Sequence, residues 1–279
     1  MAATQLLPAG TTGIAIDIRA DGSHRETAAE LERLGYDALW IPGGQLDELA
    51  RVAELLAATS ALQVATGIGP LGVYSPAEVA AMRRDLVTRY PSRFVLGLGA
   101  PQLPRSLPVL DSQLNELDAM GVSAEDRLLA ALGPRKLAVA RERCAGAVTL
   151  LVTPQFTAWA RDGLGPGPGL VVDQYVVLDS DAERARAAVR RPLAFLATVT
   201  GYRAAFRRMG FTDTDVDECS DRLVDAVSAW GDVDAVAARI AALRAAGADH
   251  VVVTVLTADA TQTPLSGAAQ LAGRLGLTA

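Results

Sequence analysis

Short β-branched runs alternate with longer helical stretches along the whole chain, and this alternation is the feature that most limits how the chain can fold. Glycine, proline or an N-capping residue stands at each junction, as is typical where strands and helices meet. Eight strand and helix pairs over 279 residues predict the α/β class and a closed (β/α)8 TIM-like barrel rather than an open sheet. The predicted strands are Gly13–Ile18, Ala38–Ile41, Leu62–Thr66, Phe94–Leu98, Leu128–Leu132, Ala147–Val152, Gln174–Leu178 and His250–Leu256.

A longer helical segment, residues 192–230, separates the seventh and eighth predicted strands. Its apolar side chains, Tyr202, Phe206, Met209 and Phe211 among them, predict a helical insertion that packs on the barrel, caps one of its ends or supplies a dimer contact. The alternating glycines and prolines of residues 163–169 predict a loop. Because no shift in composition marks a boundary, we predict a single domain over residues 1–279.

Composition and charge exclude several classes of protein. Half of the residues are hydrophobic and the net charge is −6, so the chain can bury a core, and its acidic balance argues against nucleic acid. No apolar run is long enough to span a membrane, and residues 1–10 lack the pattern of a signal peptide. Cys144 and Cys219 form no zinc or disulfide pattern. We therefore expect a cytoplasmic protein.

The stretch from Gly67 to Gly72 matches the spacing G-x-G-x-x-G after a strand, which by itself suggests a dinucleotide site. However, Pro70 lies inside it and the next helix begins only near Pro76, whereas the Rossmann fingerprint opens its helix directly. A strand-to-helix loop whose backbone approaches a ligand is the favoured interpretation.

The stretch from Ala130 to Lys136 combines a strand end, a Gly-Pro turn and a helix start with two cations, Arg135 and Lys136. Free N–H groups and positive charge at a helix N-terminus favour an anion such as phosphate. An ordinary helix start with solvated charges fits the same residues, and the sequence leaves both interpretations open.

Candidates for chemistry are the polar residues at the predicted carboxyl ends of strands, because barrel active sites form on that face. They are Asp17, Gln45, Thr66 and Tyr74. Asp17 is either a residue of the rim or a working acid. The two histidines, His24 and His250, form no cluster, so we expect no metal site. Motifs of the common hydrolases, P-loop proteins and zinc proteases are missing.

Seven stretches together resemble the luciferase-like monooxygenase superfamily, and specifically its actinobacterial oxidoreductases that depend on the deazaflavin coenzyme F-420. These stretches run in the family's order over nearly the whole chain. They are Leu34–Pro42, Val64–Ile68, Arg93–Gly99, Ala130–Arg135, Leu151–Pro154, Ser220–Asp225 and Gly247–Val251.

The resemblance implies a deazaflavin lying across the carboxyl ends of the strands, a small organic substrate, hydride transfer and a homodimer. The loop after the third strand would pass under the ring and often holds a non-prolyl cis peptide. FMN in the same place is the close alternative. The implied cofactor-binding residues are Thr66, Gly67, Ile68, Gly97, Gly99 and Ala100 for the ring and Ala131, Leu132, Gly133, Pro134 and Arg135 for the phosphate-bearing tail.

The usual acid and base of the family are replaced. Relatives often carry an acidic residue or an Asp-His pair after the second strand, where this chain has Gly43 and Gly44. Asp17 and Tyr74 are then the predicted proton donors. A catalytically reduced barrel that only binds a cofactor or a metabolite, or serves as a subunit of a larger assembly, is the alternative that the two glycines motivate.

Overall fold

Eight parallel strands close into a ring, which confirms the predicted barrel. The computed structural model describes residues 6–18, 22–44, 46, 48–103, 105–259 and 261–277. In the ring β10 pairs with β1, followed by β2, β3, β5, β6, β7 and β8, and β8 pairs with β10 again. The strands of the ring are β1 Thr11–Ala15, β2 Ala38–Pro42, β3 Gln63–Gly67, β5 Phe94–Gly99, β6 Arg127–Ala130, β7 Gly146–Leu150, β8 Gly169–Val177 and β10 His250–Leu256.

Two short strands lie outside the ring and were not predicted. Strand β4, Gly69–Pro70, pairs with β5, and strand β9, Ser228–Trp230, pairs with the end of β8. The sequence marks neither of them, because a run of two or three residues carries no periodicity.

The largest difference from the prediction is the start of β8. It begins at Gly169 rather than Gln174, since Leu170 and Val172 already pair with β7. The polar Asp173 interrupts the apolar run and hides the strand from its pattern. Other predicted strands differ from the structure by a few residues at their ends, as is common.

Helices follow the strands and cover the outside of the barrel. Ser75 caps α3 through a capping box with Glu78, as its position before Pro76 predicts. The helices are α1 His24–Arg33, α2 Ala50–Ala58, α3 Pro76–Arg89, α4 Ser106–Ala119, α5 Pro134–Arg143, α6 Pro154–Leu164, α7 Ala182–Leu196, α8 Thr200–Arg208, α9 Asp213–Asp217, α10 Asp221–Val227, α11 Val233–Ala245 and α12 Pro264–Leu275, with a 3-10 turn at Ala124–Asp126.

Residues 192–230 contain the end of α7, then α8, α9, α10 and β9. These helices form an apolar cluster of their own, which includes Phe206 and Leu223 and continues onto Tyr175 and Val177 of β8. The helices of this segment therefore pack on the carboxyl-terminal half of β8.

The barrel interior holds a separate cluster of side chains, defined here as the interior cluster. Its members include Leu7, below the strands, and one or two residues of nearly every strand. His250 closes the amino-terminal end of the barrel, where its ring accepts a hydrogen bond from Trp40 Nε1 at 3.1 Å and meets Thr11 Oγ1 at 2.6 Å. This end is filled, so the open end is the carboxyl-terminal one.

Cys144 and Cys219 are both free and buried, at a helix end and in a turn rather than inside helices. Among the described residues, no helix has the length and apolar character needed to cross a membrane.

Candidate functional site

One layer of side chains lies just above the interior cluster, toward the carboxyl ends of the strands. Strand side chains alternate between the two faces of the sheet. On each strand, the residue two positions after the last member of the interior cluster therefore also points into the barrel. We call this set the mouth layer. It consists of Pro42, Gly67, Gly97, Ala130, Leu150, Asp173 and Thr254, with Asp17 at the rim beyond the end of β1.

The mouth layer is uneven around the ring. On β3, β5 and β6 it presents Gly67, Gly97 and Ala130, whereas β8 and β10 present Asp173 and Thr254. A side chain at Gly67 would meet the Trp40 ring, and one at Gly97 would meet the Thr66 carbonyl oxygen, so this side of the mouth is lined by backbone and a single methyl group. Across the ring of strands it faces a carboxyl group and a hydroxyl group.

The peptide bond between Gly67 and Ile68 is cis, at the position that the resemblance implies. Ile68 packs between two glycines. A Cβ at Gly43 would lie 2.7 Å from the Ile68 carbonyl oxygen, and a Cβ at Gly99 would lie 1.8 Å from the Ile68 Cδ1 atom. Gly43, which stands where relatives often carry an acid, is thus required by the loop itself. Gly44 has open space around it.

Thr66 fixes this loop to the next strand. Its side chain is fully buried, and Oγ1 donates to the Gly97 carbonyl oxygen at 2.8 Å while accepting the Gly97 N–H at 3.0 Å. The hydroxyl is therefore committed to protein, and Thr66 acts on the site by holding Gly97.

Asp173 and Thr254 are hydrogen-bonded across the β8 and β10 pair. Thr254 Oγ1 donates to Asp173 Oδ1 at 2.8 Å. Burial raises the pKa of the Asp173 carboxyl from 3.8 to about 7, although the hydrogen bonds from Thr254 and from the Gln174 backbone act in the opposite direction. A carboxyl group with a near-neutral pKa in a cleft is a candidate for proton transfer.

Two phenols lie close to this carboxyl group. Tyr175 is on β8 and Tyr202 is on α8, and the charge of Asp173 contributes to raising the pKa of both, after the larger effect of their own burial. Helix α8 thus brings a residue of the 192–230 segment to the mouth of the barrel.

The predicted anion-binding segment lies at the start of α5. Gly133 precedes the helix without a side-chain cap, and Pro134 is its first residue. Ala131 is buried, Leu132 and Gly133 are partly buried, and Pro134 and Arg135 are exposed. Burial lowers the pKa of the neighbouring Lys136. Arg208 of α8 reaches this segment, with Nη1 3.4 Å from the Leu132 carbonyl oxygen.

A cavity of about 490 Å³ opens beside the same arginine. Arg208 lies over the Trp159 ring at 5.2 Å, and Arg222 lies over the Phe211 ring at 4.7 Å. Arg222 is also paired with Asp215 at 2.8 Å. The cavity is lined by Thr153, Gln155, Phe156, Trp159, Arg208, Met209, Phe211, Arg222 and Ala226.

Among the predicted acids, Asp17 is exposed just beyond the end of β1, as expected for a residue of the rim. The Tyr74 hydroxyl donates to the Leu46 carbonyl oxygen at 2.9 Å. Their predicted role as proton donors stays a prediction. Gln45, also named from the sequence, lies outside the described residues.

The histidines have structural surroundings. Burial, assisted by Arg244, lowers the pKa of His250 to about 3, so its ring is neutral. His24 is buried against Glu54 at 2.9 Å. In the part of the chain that the structure describes, no group of three His, Cys, Asp or Glu side chains is placed to hold a metal ion.

The family model of the luciferase-like monooxygenases matches residues 8–105. The resemblance to this family is confirmed. The luciferase-like match runs from β1 through β5 and includes the cis peptide bond, Thr66, Gly97 and Gly99. The Arg208 cavity and Asp173 lie beyond it. No curated protein matches the chain.

Solved structures share the barrel fold over nearly the whole chain. An F-420-dependent secondary alcohol dehydrogenase, in complex with an F-420–acetone adduct, is 15% identical with a TM-score of 0.74, and the match covers 96% of this chain and 98% of that one. The F-420-dependent tetrahydromethanopterin reductase of Methanopyrus kandleri is 15% identical with a TM-score of 0.72, over 95% and 97% of the two chains.

A third similar structure contains FMN. It is a type II Baeyer–Villiger monooxygenase, the oxygenating constituent of 3,6-diketocamphane monooxygenase from the CAM plasmid of Pseudomonas putida. It is 16% identical with a TM-score of 0.67, over 96% of this chain and 98% of that chain. At these identities the three structures establish the fold.

Asp173, Tyr202 and Arg208 are the residues of the site that the sequence interpretation misses. The predicted strand begins after Asp173, so the inward direction of this side chain does not follow from the prediction. The sequence does contain a signal for Asp173. Val171, Asp173 and Tyr175 are spaced by two residues within a β-branched run, so their side chains lie on the same face of a strand, and this face is the barrel interior.

Proposed function

We propose that this chain is an oxidoreductase that transfers a hydride between the deazaflavin coenzyme F-420 and a small organic substrate. The single observation that carries the proposal is the uneven mouth layer, with small residues on one side and Asp173 and Thr254 on the other. Such an arrangement suits a planar ring beside a group that exchanges protons.

The residues of the mouth fit the ring of such a cofactor. Backbone can approach a flat ligand where side chains are absent, and Gly67, Gly97 and Gly99 supply such backbone. Ile68, set between Gly43 and Gly99, offers an apolar surface. Ala100 follows at the end of β5 and is partly buried. These residues would hold the ring.

The tail of the cofactor carries phosphate, and the residues around α5 fit an anion. The cations Arg208 and Lys136 meet the N-terminus of α5 near Leu132 and Gly133, and a guanidinium group suits phosphate or carboxylate. The cavity beside Arg208 provides room. We assign the tail to this region, with Ala131, Pro134 and Arg135 at its edge.

A bound deazaflavin supplies a hydride acceptor or donor. The protein has to orient the substrate, exclude water and exchange one proton. Asp17 and Tyr74 are the proton donors that the sequence predicts, and both lie at or near the carboxyl-terminal side of the barrel.

FMN is the second candidate cofactor, and the similar structure in complex with FMN favours it. Both cofactors place a tricyclic ring on the same backbone, so direct binding has to decide between them. The third possibility is a barrel that has lost the ability to bind either cofactor.

The test is an equilibrium titration of the purified protein with oxidised F-420 and, separately, with FMN, followed by fluorescence quenching. We expect micromolar binding of F-420 and weaker binding of FMN. Tight binding of FMN alone would move the assignment to a flavin-dependent enzyme, and binding of neither would refute the proposal.

A matched pair of variants locates the tail. Arg208→Ala removes the cation beside Leu132, and we expect F-420 to bind about tenfold more weakly, as for a lost contact of ~1.4 kcal/mol. Arg207→Ala is the control, because Arg207 on the same helix is paired with Asp213 and does not line the cavity. Equal effects of the two variants would contradict our placement of the tail.

A further inference from the structure

We infer that Asp173, held by Thr254, is the group of this site that exchanges a proton with the substrate. The inference rests on the proposed function and refines it, because it replaces the predicted acids Asp17 and Tyr74 with a residue outside the segment matched by the family model. When the substrate is oxidised, it loses a hydride and a proton. Asp173 would take the proton as the O–H or N–H bond breaks, and a bound deazaflavin would supply the acceptor for the hydride. In the reverse direction Asp173 would return the proton and the cofactor would be the hydride donor.

The position of Asp173 is the first support. The residue lies midway along β8, and its register partner on β7 is Leu150, the last residue of that strand. Its side chain points into the barrel in the mouth layer, and the residue is only partly buried. Across the ring of strands, Gly67, Gly97 and Ala130 present backbone and a single methyl group, on which the flat ring of a cofactor would lie. The carboxyl group therefore faces the proposed reaction site.

The hydrogen bonding of Asp173 is the second support. Thr254 Oγ1 donates to Oδ1 at 2.8 Å, which orients the carboxyl group. No salt bridge of Asp173 exists among the described residues. A carboxyl group with an arginine partner would be held as an anion, whereas this one is able to gain and lose a proton near neutral pH.

The titratable groups that interact with Asp173 are the Tyr175 phenol on its own strand and the Tyr202 phenol on α8. From β7 and β10 the inward neighbours are Leu150, Val252 and Thr254, which do not titrate. No cation stands among these neighbours, so burial dominates.

Tyr74 and Asp17 are less well placed to exchange a proton with a substrate in the mouth of the barrel. The Tyr74 hydroxyl is already donated to the Leu46 carbonyl oxygen, so this proton is not directed into the mouth. Asp17 is exposed just beyond the end of β1, so its carboxyl group lies at the rim and not inside the mouth.

The test combines a binding measurement with a direct titration and needs no identified substrate. Carboxyl ¹³C NMR of the cofactor-free protein is recorded from pH 4 to 9 for the wild type and for Asp173→Asn. We expect one aspartate signal with a midpoint near pH 7 that is missing in the variant. Thr254→Val, which loses the hydrogen bond, should move this midpoint upward, and Thr254→Ser should leave it unchanged.

Oxidised F-420 is then titrated into both proteins at several pH values between 5.5 and 8.5. By linkage, a cofactor that binds over the carboxyl group alters its proton affinity, and its own affinity must depend on pH with the same midpoint. We expect this dependence in the wild type, Asp17→Asn and Tyr74→Phe. In Asp173→Asn only the dependence due to the ionisation of F-420 itself remains.

The outcomes separate the two proposals. If F-420 binds and its pH dependence is the same in the wild type and in Asp173→Asn, the role of Asp173 is refuted while the proposed function stands. If the aspartate midpoint lies near 4, the role is refuted as well. If neither F-420 nor FMN binds the wild type, both proposals fall.

Discussion

The glycines of the site illustrate how single residues set the backbone. The resemblance predicts that Gly97 and Gly99 line the cofactor, and the structure adds a physical reason for each, since a Cβ at Gly97 would lie 2.1 Å from the Thr66 carbonyl oxygen and one at Gly99 would meet Ile68. The Thr66 oxygen belongs to the backbone and cannot rotate away. The sequence shows a glycine, but only the structure shows what it must approach.

Gly97→Ala should destabilise the protein by ~3 kcal/mol, because the added methyl group forces β3 and β5 apart. Urea denaturation measures the free energy of unfolding. Gly273→Ala is the control, since Gly273 lies in α12 and a methyl group added there would have nothing within 4 Å, and it should stabilise by up to ~1 kcal/mol. Similar losses in both variants would contradict the close approach at Gly97.

Thr66→Val tests the bond between the loop and β5. Valine keeps the shape and removes the hydroxyl, so the Gly97 N–H and carbonyl oxygen lose a buried partner. We expect a loss of ~2–4 kcal/mol in denaturation. Thr66→Ser keeps both hydrogen bonds and should cost only ~1 kcal/mol for the missing methyl group. A valine variant no less stable than the serine variant would show that the hydroxyl contributes little.

At the scale of elements, the order of strands and helices is readable from the sequence, whereas their ends and their contacts are not. Strand β8 shows why. Apolar runs identify a strand because burial favours them, but Asp173 is polar and still lies inside β8. Its carboxyl group has a pKa raised to about 7 and accepts a hydrogen bond from Thr254, a tertiary arrangement that the local pattern does not contain.

The packing of α8 on the barrel yields an element-scale prediction. Phe206→Ala should loosen the 192–230 segment, because Phe206 is fully buried in the cluster that joins α8 and α10 to β8. Replacing a buried phenylalanine costs ~3–5 kcal/mol. Limited proteolysis with mass spectrometry should detect new cleavage between residues 197 and 227.

Phe195→Ala is the matched control for that prediction. Phe195 lies on α7 and is 69% exposed, so the same substitution should change stability by less than ~0.5 kcal/mol and leave the cleavage pattern as in the wild type. If cleavage of Phe206→Ala spreads over the whole barrel instead, the segment does not respond as a local unit.

At the scale of the whole molecule, two titratable groups at opposite ends of the barrel have opposite effects on how stability depends on pH. The carboxyl group of Asp173 has a pKa raised from 3.8 to about 7, so between these values the folded state holds a proton that the unfolded state has lost. Its contribution to stability falls as pH rises. His250 has a pKa lowered from 6.5 to about 3, so in that range only the unfolded state is protonated. Its contribution rises with pH.

Between about pH 4 and 6.5 the two slopes have equal size and opposite sign, ~1.4 kcal/mol per pH unit each. We therefore expect the free energy of unfolding of the wild type to be nearly flat over this range. Asp173→Asn removes the falling slope, so its stability should rise with pH from 4 to 6.5. His250→Gln removes the rising slope, so its stability should fall from pH 4 to 7.

Urea denaturation at half-unit steps of pH measures these slopes independently of the absolute stability of each variant. The double variant is the internal control, because it lacks both groups and should again be flat. Paired carboxyl groups, such as Asp215 with a pKa of about 2, are present in all four proteins and affect them alike. A wild type whose slope matches that of Asp173→Asn would mean that Asp173 is ionised in the folded protein over this range, and its proposed role in proton exchange would be refuted.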